Sequence, residues 1–113
     1  MSYGDQRRKF AVMVAKLILF AVGLGYEVAL DDGKCRTGHI KNSFHYKGLA
    51  QDINLYKEGV WLDRTEDHLP LGNYWESIGG TWGGRWDDGN HYSLGEGKNG
   101  HTANKERYFI NSR

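Results

Sequence analysis

Two short stretches, SFHYKGLAQD at Ser43–Asp52 and DDGNHY at Asp87–Tyr92, place the strongest demand on how this chain can fold. The first holds His45 and Asp52 with Gly48 between them, and the second puts Asp88 three residues ahead of His91. Together they offer two imidazoles, one carboxylate and a spare carboxylate. A catalytic zinc site requires three protein ligands, an open position for water and a nearby base. His45, Asp52 and His91 would supply the ligands, provided the fold sets the two stretches side by side. Zinc in such a site acidifies water and polarises a scissile carbonyl. Asp88 lies one helical turn or one tight loop before His91, placed to take a proton from that water and pass it to the leaving amine. Asp87 competes for this role, but only Asp88 has the D-x-x-H spacing. Taken singly, each of these residues also reads as an ordinary polar residue at a strand end.

With 113 residues the chain is expected to form one domain around a single core, 1–113, with no second-domain boundary and no internal repeat. Fifteen basic against fourteen acidic residues give no electrostatic footprint for nucleic acid. Sixteen glycines and one proline predict many tight bends made by glycine. The only cysteine, Cys35, cannot form an internal disulfide. Arg7–Gly25 begins with basic residues and continues as an apolar run, as a signal peptide would. Lys16 interrupts it, no small-x-small cleavage site follows Leu24, and it is too short to span a membrane. Asp5, Lys9, Lys16 and Gly23 share one narrow stripe of a helical wheel, opposite Phe10, Met13, Leu17, Phe20, Ala21 and Leu24. The pattern predicts a core helix buried on most of its surface.

That helix is expected from about Gln6 to Leu24, after a frayed polar start over residues 1–6. Tyr26–Leu30 reads as a short strand closed by Asp31-Asp32-Gly33, and Lys34–Asn42 as a basic loop. Leu49–Tyr56 reads as a strand with Ala50, Asp52 and Asn54 on one face and Ile53 and Leu55 on the other. Lys57-Glu58-Gly59 makes a hairpin turn into Val60–Leu62. Thr65 is a candidate cap for a segment around Glu66–His68, and Asn73–Ile78 for a short helix ended by Gly79-Gly80. Trp82–Trp86 reads as an aromatic–glycine loop, His91–Leu94 as the last strand, and the chain beyond Gly95 as a loosely held tail. Glu76 reads as a solvated or capping carboxylate, and His39, His68 and His101 as surface histidines. Arg36 offers planar donors suited to a substrate carboxylate or an oxyanion, and equally suits a basic loop. Trp82 and Trp86 either line a cleft or pack in the core.

The motif S-x-H-x-x-G-x-A-x-D, carried by Ser43, His45, Gly48, Ala50 and Asp52, resembles the first zinc motif of the D-alanyl-D-alanine carboxypeptidase / L-alanyl-D-glutamate endopeptidase family. W-G-G-R-W at Trp82–Trp86, followed by D-x-x-H-Y at Asp88–Tyr92, resembles that family's second motif. The likeness runs from about Tyr26 to Leu94, and the phage-encoded branch that includes endolysins is the branch it resembles. The resemblance implies a small α+β domain, an antiparallel sheet with helices packed on one side. It implies one zinc ion on His45, Asp52 and His91, with Asp88 as general acid/base where the wider family often has glutamate. Ser43 would orient the site by a hydrogen bond. Arg36 matches the family's upstream arginine approximately, in a shorter loop. A monomeric peptidase cutting peptidoglycan peptides is implied, a phage or prophage lysis enzyme made in the host bacterial cytoplasm before release to the wall. Neither nucleic acid nor membrane is expected as a partner. Two rivals stand beside this reading. One is a wall-binding module without turnover. The other is a metal-dependent nuclease of the histidine–asparagine–histidine type, suggested by Asn90-His91 and the basic Lys98–Arg107, for which Asp52 would be dispensable.

Overall fold

The computed structural model describes residues 2–31 and 48–95. The basic loop and the tail expected from the sequence lie outside these residues, as does Cys35. Helix α1 spans Tyr3–Gly23 and so begins earlier than the frayed start expected for residues 1–6. Ser2 accounts for the difference, because its hydroxyl accepts a hydrogen bond from the Asp5 backbone N–H at 3.1 Å. Asp5 also places a negative charge in the first turn, where the free N–H groups of a helix favour one.

The helix buries a single stripe, Phe10, Met13, Leu17 and Ala21. The expectation that most of its surface would be buried is therefore corrected: Val12, Leu19 and Val22 are each more than half exposed. Among the described residues, one layer of two helices over one sheet covers only the inner side of α1. No helix among the described residues is long and apolar enough to cross a membrane.

Among the described residues five antiparallel strands follow: β1 (Glu27–Asp31), β2 (Ala50–Lys57), β3 (Val60–Leu62), β4 (Thr81–Trp82) and β5 (His91–Ser93). Their order is β1-β2-β5-β4, with β3 also paired to β2. β2 is the organising strand. One of its edges pairs with β1 from Asp52 to Tyr56. Its other edge is divided, Ala50–Asp52 pairing with β5 and Leu55–Lys57 with β3. The expected hairpin is present, and Glu58 and Gly59 both have positive φ, 50° and 81°, as a two-residue type I′ turn requires. The alternation expected along β2 also holds. Ile53 and Leu55 are fully buried, while Asp52 and Asn54 stand on the opposite face with intermediate exposure.

Helix α2 covers Leu69–Ser77, starting four residues before the expected Asn73. Pro70 falls in its first turn, where a missing N–H costs nothing, so the proline starts the helix rather than ending a preceding segment. Trp75 of α2 sits at the centre of the core, edge-on to Phe10 at 5.7 Å and to Tyr92 at 5.9 Å between ring centroids. Its indole N–H donates to the carbonyl of Ser93 at 2.9 Å and to that of Thr81 at 3.1 Å, tying α2 to β4 and β5. The architecture is α+β, with α1 and α2 packed over the antiparallel sheet.

Candidate active site

Asp52 on β2 lies directly opposite His91 on β5 in the antiparallel register. Directly opposed residues share a face and hold their Cβ atoms about 5 Å apart, so the two side chains meet. The His91 Nδ1 to Asp52 Oδ1 distance is 3.2 Å. His91 is buried and the Asp52 side chain is 19% exposed, so the pair stands at the edge of the core with one side open. Two donors each about 2.0–2.1 Å from a tetrahedral zinc ion would lie about 3.3 Å apart. The observed separation fits two ligands of one ion, and it also suits an ion pair between a protonated imidazole and a carboxylate. Among the described residues, no third histidine, cysteine, aspartate or glutamate completes a group of three. His45, Ser43 and Arg36 lie outside the described residues. The segment that carries them re-enters at Gly48, whose φ of +73° is a left-handed conformation that glycine adopts freely.

Asp88 is exposed and sits in the turn that enters β5, which the His91 N–H closes by donating to the Asp88 carbonyl at 3.1 Å. The backbone of this turn is fixed along its length. The Asp88 N–H donates to the Gly83 carbonyl at 2.9 Å, and the Ile53 N–H donates to the Asn90 carbonyl at 2.8 Å. At Gly89 the N–H donates to Thr65 Oγ1 at 3.2 Å, while the carbonyl accepts from the Trp82 indole at 2.7 Å. Thr65 was expected to cap its own segment. Instead it lies inside a 3-10 turn, Thr65–His68, and its hydroxyl serves this loop. A site residue held this way needs little reorganisation to act.

The W-G-G-R-W stretch, expected as a loop, is strand β4 followed by a second 3-10 turn, Gly83–Trp86. Its glycines serve close approach more than bending. A Cβ on Gly83 would overlap the Asp88 carbonyl oxygen, and one on Gly84 would overlap the Trp82 ring. We expect Gly83→Ala to cost about 1–3 kcal/mol through overpacking, read as a lower denaturant midpoint, and to reduce activity by displacing Asp88. Trp82 is 1% exposed and packs in the core, and its indole N–H reaches the Gly89 carbonyl. Trp86 is partly exposed, its ring 6.0 Å from that of His91. Glu76, expected as a solvated or capping carboxylate, instead has a side chain only 8% exposed: Nε of Arg85 donates to its Oε2 at 2.6 Å, and Arg85 Nη2 also donates to Oε1. The same Oε2 accepts the Trp82 backbone N–H at 2.9 Å, so this one carboxylate joins α2 to both halves of the loop before Asp88.

His68 is likewise corrected from a surface residue. It is 2% exposed, and its Nδ1 lies 2.8 Å from the Tyr92 hydroxyl. Burial lowers its pKa to about 4, with the nearby Asp67 carboxylate opposing part of the shift. Burial also raises the Tyr92 phenol, which stays protonated. For His68 the unfolded chain binds a proton below about pH 6.5, while the folded protein resists one until about pH 4. The unfolded state therefore holds more protons in that window, and stability falls as pH is lowered through it. The expected loss attributable to His68 is about 2–3 kcal/mol between pH 6.5 and 4.5. Unfolding free energies at both pH values should show this slope in the wild type and not in His68→Gln.

The structure thus brings Asp52 and His91 into contact and fixes Asp88 at the turn beside them. Sequence patterning missed Glu76, Arg85 and the His68–Tyr92 pair, whose partners are remote in the chain. The one available signal was Arg85 itself, a charge inside an otherwise aromatic and glycine stretch, which burial would oblige to find a carboxylate. A search of curated proteins by sequence finds no match. A family model described as D-alanyl-D-alanine carboxypeptidase matches residues 37–94, a span that takes in both histidine–aspartate stretches and leaves Arg36 just outside. That span is just over half of the 113 residues, and the chain belongs to this family of peptidases.

Proposed function

We propose that the chain is a zinc-dependent peptidase that hydrolyses an amide bond in bacterial cell-wall peptides. The observation that supports this most is the cross-strand contact of Asp52 with His91 at a separation suited to two ligands of one ion, with Asp88 held at the entry to β5. His45, Asp52 and His91 would hold the ion, and Ser43 would orient the ligand set by a hydrogen bond. Bound there, zinc would supply Lewis acidity toward the scissile carbonyl and lower the pKa of the attacking water. Asp88 takes the proton as the water oxygen bonds to the carbonyl carbon, and returns it to the leaving nitrogen as the C–N bond breaks. The products are a carboxylate and an amine. The Arg36 guanidinium would offset charge on the developing oxyanion. A monomer acting in phage or prophage lysis, made in the host cytoplasm and acting on the wall, is the setting proposed for this activity.

The test is digestion of purified peptidoglycan, with products read by mass spectrometry, for the wild type and Asp88→Ala, with zinc and with a chelator. New amine ends are expected from the zinc-loaded wild type alone, lost on chelation. Zinc binding without cleavage by either protein would sink the peptidase reading in favour of a wall-binding module. Cleavage of DNA in place of peptide would favour the nuclease.

A further inference from the structure

We propose that the outward face of α1 docks on an anionic lipid bilayer, and that a chain seated there presents the Asp52–His91 pair on the side away from the membrane. The docking surface stands by itself, while the use made of that orientation rests on the peptidase reading above.

α1 is apolar on two sides. Phe10, Met13, Leu17 and Ala21 face the core, and Val12, Ala15, Leu19 and Val22 recur at spacings of three and four on the opposite side. Val12 is 56%, Leu19 71% and Val22 54% exposed in the folded chain. They form an outward stripe about 15 Å long, at about 1.5 Å per residue. Its border is basic. Lys9 and Lys16 are exposed and lie three or four residues from Val12 and Leu19, the spacing of surface neighbours on a helix. Arg8 continues the stripe one turn before Val12. The one acid on the helix, Asp5, pairs with Arg8. Stretches 32–47 and 96–113 hold more lysine and arginine than acid, so they bring no net negative charge to this face.

An apolar stripe with a cationic border suits a helix lying in the plane of a membrane surface, acyl chains under the stripe and lipid phosphates against the ammonium groups. A second copy of the chain fits less well. A two-fold pair buries the same patch on both chains. Lys16, near the middle of the stripe, would then lie beside its own copy, with no acid on the stripe to separate the two. Anionic headgroups instead supply counter-charge along the whole border. The sequence argument against a membrane concerned spanning, and a helix lying along the surface needs no span.

The fold then sets the orientation. The inner stripe of α1 shares one core with Ile53 and Leu55 of β2. Asp52 and Asn54 stand on the other face of that strand, where Asp52 opposes His91. The outward stripe and the candidate catalytic pair therefore lie on opposite sides of the molecule. One helix and one sheet separate them, roughly 20 Å.

Co-sedimentation of the full chain with vesicles tests the docking without zinc or turnover. We expect about tenfold or more tighter binding to vesicles of phosphatidylglycerol and phosphatidylcholine in equal parts than to phosphatidylcholine alone, weakening as salt rises. Leu19→Glu, and Lys9→Glu with Lys16→Glu, should each lower that binding about tenfold or more, while Leu19→Phe should keep it. These side chains are exposed, so the thermal midpoints should stay near the wild type. Lys57→Glu, which makes the same charge change away from α1, should bind as the wild type does. Equal binding to both vesicles, no binding, or binding indifferent to Leu19→Glu would overturn the proposal. A dimer in solution abolished by Leu19→Glu, with no vesicle binding, would give the face to a second copy and overturn it too. For the orientation, vesicle-bound protein should cut a soluble wall peptide about as fast as free protein does. Cleavage by the free protein that stops on the vesicle would overturn the orientation, whereas no cleavage by either form would overturn the peptidase reading and leave the docking surface standing.

Discussion

Asp88→Asn is expected to lower kcat on a cleavable wall peptide by about 10²–10⁴-fold, the usual worth of a positioned general acid–base group. The substitution keeps the shape of the side chain and removes its negative charge and its capacity to carry a proton. The Asp88 side chain is exposed and contributes nothing to the core, and the backbone bonds that fix its turn run through the N–H and carbonyl of residue 88. The thermal midpoint and the zinc stoichiometry should therefore stay at wild-type values. A loss confined to kcat would identify a group that acts in the transition state. A loss confined to KM would point to substrate binding instead.

The neighbouring carboxylate provides the control. Asp87 has φ 63° and ψ 38°, a left-handed conformation that asparagine also tolerates well. Asp87→Asn should then fold normally and change kcat by less than about tenfold, well short of the loss a missing general acid–base group causes. If Asp87→Asn and Asp88→Asn were equally damaging, neither residue could be assigned the proton transfer by itself.

Patterning made legible those parts of the chain in which one local rule decides the outcome. The 3.6-residue period of Phe10, Met13, Leu17 and Ala21 gave α1, and the alternation about Ile53 and Leu55 gave β2 with Asp52 on the far face. The D-x-x-H spacing marked Asp88 and His91, but only the cross-strand register shows that His91 meets Asp52. What stayed hidden depends on contacts between remote segments. His68 reads as a surface residue until Tyr92 is seen beneath it, and Thr65 as a cap until Gly89 approaches its hydroxyl. The glycines misled in a different way. Glycine at 72, 80, 84 and 89 is required where another residue presses against the backbone, among them the rings of Trp82 and Trp75. A propensity reading sees only flexible bends there.

The Glu76–Arg85 pair should carry the largest single contribution to stability from any polar contact around the site. Both side chains are less than a tenth exposed, so removing either partner leaves a buried charge without its counterion. Glu76→Ala or Arg85→Ala is expected to cost about 3–5 kcal/mol, against a total of about 5–15 kcal/mol for an ordinary domain. Urea titration would read this as a lower midpoint at constant slope. Replacing both residues by apolar side chains, Glu76→Leu with Arg85→Met, removes the charges together and should recover much of the loss. Recovery should remain incomplete, because Glu76 also accepts the Trp82 backbone N–H and leucine cannot. That orphaned donor should retain a cost of about 1–3 kcal/mol. Glu76→Gln with Arg85→Met restores an acceptor and should come closer to the wild type than the leucine pair. Single substitutions that cost less than about 1 kcal/mol, the range of solvent-exposed ion pairs, would show that the pair is not held away from water. The loop that delivers Asp88 would then owe its position to the hydrogen bonds made by the backbone of Asp88, Gly89 and Asn90.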